Sequence, residues 1–428
     1  MSSTSLDIAR VRSAFPALEN SDYIYADNAG GSQCLASVVD KLSDYLLRTN
    51  VQPGANYSVS VQSTTRVAQG VEAARELFNA ASTEEVSFGT SSSLLVENLA
   101  RAIDADILDG EEIIVTGEHE ANAGPWKKLA KRRGLAVKFW HATQISEFPN
   151  NPYAVALQTE TLLGLITPKT RLIAFTGCSN LLGSIVPVKE IIAAARAKAK
   201  EVGARKLEVS VDMVSYAPHR RVDVQDWDVE YCFFSLYKVY GPHLAALYTR
   251  KTSLQNSLTA LTHHFLPFDS TSLKLQPGGP GYELPYAITA IPEYLRSLTP
   301  SGTLEDAFKA IADHEQTLVQ PLLAYLKSQE SRGVHIVGDE NASLSRVPTI
   351  SFVVQGEKPI PSREVVKAFD DKGYIGIRNG HFYAYTLVEH LNPKLDLVDA
   401  VVRISLVHYN TVEEVQTIIS ILKRILEA

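Results

Sequence analysis

The stretch Phe233–Tyr248, FFSLYKVYGPHLAALY, reads as an apolar strand, a turn carrying one lysine and Gly-Pro, and a second apolar strand. A lysine at that turn is costly to bury as an ammonium, so Lys238 either reaches solvent or has chemistry to do. Working outward, short β-rich runs alternate with helical patterns from about residue 70 to 250, the mark of βαβ units and a mainly parallel sheet. EEIIVTG (111–117), TRLIAFTG (170–177) and KLEVSVDM (206–213, alternating Leu207, Val209 and Val211) read as strands, and GPWKKLAKRRG (124–134) as a helix. VKEIIAAARAKAKEVG (188–203) places Val188, Ile191, Ile192, Ala195, Ala199 and Val202 on one helical face and ends at Gly203 as a C-cap.

After the Pro/Gly-rich LQPGGPGYELP (275–285) the pattern changes to a long helical stretch, the strand VPTISFVV (347–354), and a helix–strand pair ending in GYIGIR (373–378). The closing helix opens with Thr411 and Glu414, a capping box, and presents Val412, Val415, Ile418, Ile419, Leu422 and Ile425. The division expected is an N-terminal arm (1–20), a large α/β domain (21–290) and a smaller C-terminal α+β domain (291–428), which the arm can join.

Composition narrows the function. With 428 residues, 45% hydrophobic and 21% charged, the chain is an ordinary globular protein of more than one core. A formal charge of −7 argues against nucleic acid as partner. The cations Lys127, Lys128, Lys131, Arg132 and Arg133 read as a solvated helix end. No run is long enough to span a membrane, and the opening MSSTSLDIARVRSAF lacks a signal core. Cys34, Cys178 and Cys232 are too few for a disulfide framework and read as buried packing, so a reducing, cytoplasmic setting is expected. No His/Cys pair stands at metal-ligand spacing.

Ligands of an open parallel sheet bind beyond the carboxyl ends of its strands. There the sequence places the hydroxyl loop GTSSS (89–93) entering a helix, Glu118-His119, Asp212, and Ser235 followed by Lys238. Each is weak alone. Together they meet the demands of pyridoxal 5'-phosphate: hydroxyls and a helix N-terminus for phosphate, a carboxylate for the pyridine nitrogen, a flat ring against its face, and a lysine to form an imine with the aldehyde.

The segments YADNAGG, EHEANAGPW, SN-x-x-G, VD-x5-PHRRVDV, S-x-x-K-x-x-GP and VRISLVHYNTVEEV, in this order from about residue 20 onward, resemble the class V aminotransferases, in particular the cysteine desulfurase/selenocysteine lyase-like branch. The resemblance implies a fold-type I pyridoxal phosphate enzyme, normally a homodimer, acting on a small amino-acid substrate. It implies Lys238 as the imine lysine, Asp212 as partner of the pyridine nitrogen, His119 stacked on the ring and Asn180 near the phenolic oxygen. Thr90, Ser91 and Ser235 would hold the phosphate, Arg403 the substrate carboxylate, and Asn28 would face the substrate.

The departures carry finer information. Where the branch has R-x-G-H-x-C, this chain has Arg378-Asn379-Gly380-His381-Phe382-Tyr383, so a phenol replaces the persulfide-forming cysteine; Arg378 and Tyr383 are expected at the substrate. Tyr237 replaces a phosphate-contacting histidine, Ser215 a glutamine beside the cofactor oxygen, Gly177 a histidine, and Gly279 a threonine lent between subunits. Gly177 and Ser215 predict extra room for a substrate larger than cysteine. The leading expectation is a lyase acting at Cβ, cleaving a C–S bond without holding the sulfur. Decarboxylative aldolase-type C–C bond formation comes second, transamination or epimerisation third, and a non-catalytic scaffold is disfavoured because the whole site set is present.

Overall fold

In a computed structural model, which describes residues 6–19, 21–266, 271–279 and 281–427, seven strands build one sheet. In chain order they are β1 (Val86–Gly89), β2 (Glu112–Thr116), β3 (Ala136–Trp140), β4 (Thr170–Thr176), β5 (Glu208–Asp212), β6 (Tyr231–Ser235) and β7 (Ala245–Thr249). Their spatial order is β1-β7-β6-β5-β4-β2-β3, and only the pairs made by β7 are antiparallel. The stretch 233–248 is therefore an antiparallel return, with Ser235 opposite Ala245 and Lys238 in the tight turn between. Residues 1–5 and 20 of the expected arm and Pro280 of the Pro/Gly-rich loop lie outside the described residues.

Helices cover both faces, so the inner strands are apolar on both sides; every residue of β4 and β5 is buried. Each buried Ile, Val or Phe there, such as Ile114, Val115 and Phe175, contributes about 1.5–3 kcal/mol relative to exposure. The helices that matter for the site are α1 (Ser92–Ala102), α2 (Glu120–Arg133) and α3 (Val188–Val202). Gly203 closes α3 at φ +78°, as the pattern predicted. Helix α2 begins earlier than its sequence pattern, because the His119 ring caps it: Nδ1 accepts the Ala121 N–H at 3.1 Å.

A second sheet, antiparallel, contains β8 (Val334–Val337), β9 (Thr349–Val354), β10 (Arg378–Gly380) and β11 (Val401–Ser405) in the order β8-β9-β11-β10. Helices α4 (Leu304–Ser328) and α5 (Val412–Leu426) pack on it. The capping box of Thr411 and Glu414 forms in full, although Val412, expected on the buried face, is exposed. Two of the expected boundaries need correction. Ile24 and Ala26 pack in the core of the smaller sheet, and Ile24–Tyr25 pairs with Ile375–Gly376, because these short strands complete each other's hydrogen bonds. The first half of α4 (Leu304, Ala307, Phe308, Ile311) belongs to the core of the large sheet and the second half (Leu318, Leu322, Leu326) to the other, so no clean cut falls near residue 290.

Candidate active site

The carboxyl ends of β1, β2, β4, β5 and β6 open on a common cavity lined by Ser91, Ser92, Ser93, His119, Thr176, Cys178, Asn180, Asp212, Val214, Ser215, Ser235, Tyr237 and Lys238. Parallel register does this: Thr176 lies opposite Asp212 and Asp212 opposite Phe233, so each chain leaves the sheet at nearly the same level. Lys238 is 6% exposed and has no hydrogen-bond partner among the described residues. Burial, and then repulsion from Arg403, lower its pKa to about 8, against the attraction of Asp212. Asp212 is held by a single backbone bond, from Val214 N–H at 2.9 Å, and burial raises it to about 6. His119 is kept neutral: burial, then Lys238 and Arg403, lower it to about 4. With Nδ1 already accepting from the helix, the ring can present Nε2–H.

The N-terminus of α1 supplies a cradle for an anion. Ser91 caps the helix by accepting the Leu94 N–H, and Ser235 Oγ donates to Ser92 Oγ at 3.1 Å. Thr90 was expected here and is corrected: it is exposed and does not line the cavity, since the chain turns at Ser91 to enter the helix. Ser92 and Ser93 take its place, unforeseen although they lie in the same GTSSS loop. Tyr237 is half-buried at the cavity wall, its phenol raised by burial.

The smaller sheet closes the other side. Asn180 Nδ2 donates to the Phe382 carbonyl at 2.9 Å, leaving its Oδ1 buried without a partner among the described residues. Arg403, 2% exposed, lies against the Phe382 ring with its guanidinium carbon 3.7 Å from the centroid. Phe382 and Tyr383 both adopt left-handed backbone, φ +49° and +62°, a costly conformation for bulky residues that the loop imposes. Tyr383 is exposed at the rim, its ring 5.3 Å from that of His119.

Several expectations change here. Asn28 has no free polar group to offer a substrate: its Nδ2 donates to Tyr25 O, Ser405 O and Asn410 Oδ1, and its Oδ1 accepts from Tyr409. Arg378 lies outside the Lys238 cavity, exposed and paired with Asp27. The room predicted at Gly177 is absent, because a Cβ there would collide with Met213 Sδ. Ser215 does line the cavity. Cys34, expected to be buried, is half-buried; its thiol and that of Cys178 are raised by burial, and Cys178 borders the cavity.

Glu118 was quoted in sequence without a role. It is buried, accepts from Ser179 Oγ at 2.8 Å, and is raised to about 7 by burial, with Asp212 adding to the rise. Its signal was its place at the end of β2, where an acid follows an apolar run. The arrangement as a whole could hold a phosphate at α1, a cationic ring nitrogen at Asp212, an aldehyde at Lys238 and a carboxylate at Arg403.

Residues 24–418 match the family model "Aminotransferase class-V". The chain is 40% identical over 432 residues to the "Aminotransferase-like protein FGM3" of Gibberella zeae, covering 100% of both. It is 31% identical to the "Cysteine desulfurase-like protein ustD" of Aspergillus flavus, over 98% of this chain and 91% of that one. Among solved structures, the apo cysteine desulfurase of Thermococcus onnurineus superposes with a TM-score of 0.82 at 22% identity, each chain covered to 100%.

Proposed function

The chain belongs to the class V aminotransferase family, enzymes that depend on pyridoxal phosphate, and from that premise we propose that it binds this cofactor at Lys238 and breaks a bond at Cβ of a small L-amino acid. One observation carries the reading. A buried amine and a buried carboxylate, both short of partners, share a cavity with a neutral imidazole and an anion cradle, while no thiol there is poised to ionise.

The residues fit the group: Asn180 Oδ1 and Arg403 Nε are buried polar atoms without protein partners among the described residues, which a polar ligand would satisfy. When bound, the cofactor supplies an electron sink for negative charge at the substrate Cα. Asp212 would hold the ring nitrogen protonated, a cationic partner that draws its own pKa back down. The serines at α1 and Tyr237 would hold the phosphate. Lys238, its pKa brought down to about 8, has an appreciable neutral fraction near pH 7 and could take up the Cα proton and pass it to the group leaving Cβ. Arg403 would orient the substrate through its carboxylate.

Sulfur, if it is the leaving group, departs as free sulfide. The Cys178 thiol stays protonated because burial raises it far up, and Tyr383 offers a phenol, which forms no persulfide. We further propose a homodimer, since Val39, Leu46 and Leu47 on the helix Ala36–Arg48, with Tyr57 and Val61 at the start of the helix Ser58–Phe78, expose large apolar side chains.

The test is a visible spectrum of purified protein titrated with L-cysteine, cysteine conjugates, and L-aspartate plus an aldehyde, with sulfide, pyruvate and CO2 measured. A coloured protein that yields pyruvate from a Cβ-substituted amino acid supports the reading. A protein that takes up no pyridoxal phosphate ends it; CO2 from aspartate with no pyruvate from any substrate moves the function to C–C bond formation.

A further inference from the structure

Arg403 stands between two recesses. On one side its Nη1 donates to the backbone carbonyl of Asn180 at 3.0 Å, whose side chain lines the Lys238 cavity. On the other its Nη2 donates to Asp27 Oδ1 at 2.9 Å, and Asp27 Oδ2 faces Arg378 Nε at 3.1 Å. Asp27 lines a separate groove with Tyr23, Tyr25 and Arg378. Phe382 supports the guanidinium face, and Nε is buried without a partner among the described residues. The arginine is thus held at both terminal nitrogens and left unsatisfied at the third.

Asp27 is itself well anchored. It bridges to Ser405, two residues beyond Arg403 on β11, and its carbonyl accepts the Gly30 N–H at 3.0 Å. A Cβ at Gly30 would lie 3.1 Å from Asp27 Oδ2, so the glycine leaves space for the carboxylate. One carboxylate between two guanidiniums leaves a single net positive charge, the amount that one substrate carboxylate neutralises. A buried guanidinium on a long side chain would otherwise have several carbonyls to choose from, and its direction would be undefined.

We propose that Asp27 is a positioning residue: its carboxylate fixes Arg403 so that the guanidinium reads the α-carboxylate of the amino acid, and it ties the Arg378 loop to the same point. This rests on the Lys238 cavity being the amino-acid site. Asp27 touches neither the reacting carbon nor the lysine; its charge is felt at Lys238, but that influence is common to every amine, whereas the effect through Arg403 falls on the carboxylate.

The experiment uses the holoenzyme and two amines that differ only by that group, L-alanine and ethylamine, with binding followed by the visible absorbance change. The wild type is expected to prefer alanine. Asp27→Asn is expected to weaken alanine about tenfold or more, the scale of one lost charge-assisted contact, while ethylamine moves by less than about twofold. Asp27→Glu is expected to recover most of the alanine affinity. Equal weakening of both amines, unchanged alanine affinity in a coloured Asp27→Asn protein, or a wild type indifferent to the carboxylate each overturns the proposal. So does failure of both variants to fold, which marks a scaffold role. A colourless wild type is a different failure, that of the cofactor reading.

Discussion

Strand β5 carries a buried carboxylate near each end, and the surroundings of the two differ. At the amino end Glu208 accepts from Arg171 (2.8 Å), Tyr231 (2.8 Å), Ser253 (2.9 Å) and Ser257 (2.5 Å), and its pKa is lowered, the attraction of Arg171 and its donors outweighing the burial that pushes the other way. At the carboxyl end Asp212 has one backbone donor and is raised to about 6. Both are about 4% exposed, so burial does not separate them; the supply of partners does. The amino end is a densely partnered structural network, in which Arg171 Nη1 alone of these side chains lacks a partner among the described residues. The carboxyl end is left incomplete: Asn180 Oδ1 and Arg403 Nε are buried without partners among the described residues, and Asp212 keeps a single donor, which is how a protein prepares a place for a ligand.

Replacing Lys238 by alanine or arginine tests the incomplete end most severely. Turnover is expected to fall about a thousandfold or more with the fold retained, since nucleophile and proton carrier are lost together; circular dichroism and single-turnover assays check it, and an active Arg variant would break the comparison. Next, Glu208→Ala leaves buried Arg171 with Asp106 as its remaining counter-ion and strands the hydroxyls of Tyr231, Ser253 and Ser257, and is expected to cost about 3 kcal/mol or more of stability in urea titration. Asp212→Asn is expected to stay within about 1 kcal/mol of wild type, or to gain, while turnover drops at least about a hundredfold. Similar stability losses at both ends would erase the distinction.

The pH dependence sharpens it by sign. Glu208 has a folded pKa below its unfolded value, so its contribution is present above about pH 4.5 and is lost as pH falls through the lower folded value. Asp212 has a folded pKa above its unfolded value, so in cofactor-free protein it penalises the fold increasingly from about pH 4 to 6 and constantly above. The advantage of Asp212→Asn over wild type should therefore appear across that window and vanish below it, read from unfolding midpoints at successive pH. The smallest effect belongs to the rim: Thr90→Ala is expected to alter stability by less than about 0.5 kcal/mol and cofactor affinity less than about twofold, against a clear loss for Ser92→Ala.

The sheet was legible because period and strand-end punctuation are local: KLEVSVDM shows its buried run and the acid that ends it. The capping box of α5 was legible for the same reason. The cavity's membership was legible through Lys238, Asp212, His119, Asn180, Ser91 and Ser235. What escaped depends on chain curvature or on distant partners. Thr90 and Ser92 differ by where a turn begins, which composition does not reveal. Met213 fills the space beside Gly177 across neighbouring strand ends, so a small residue at one position says nothing about room. Asp27 meets Arg403 across 376 residues, and three of the four groups that tie up Asn28 are as remote.

Helix α4 runs unbroken through both cores, and near its midpoint Glu315 is wholly buried, gripping His219 and Arg220 of the large sheet's side. A rod embedded at each end in a different body acts as a splint. The two bodies cannot swing apart like jaws without tearing side chains from one of them.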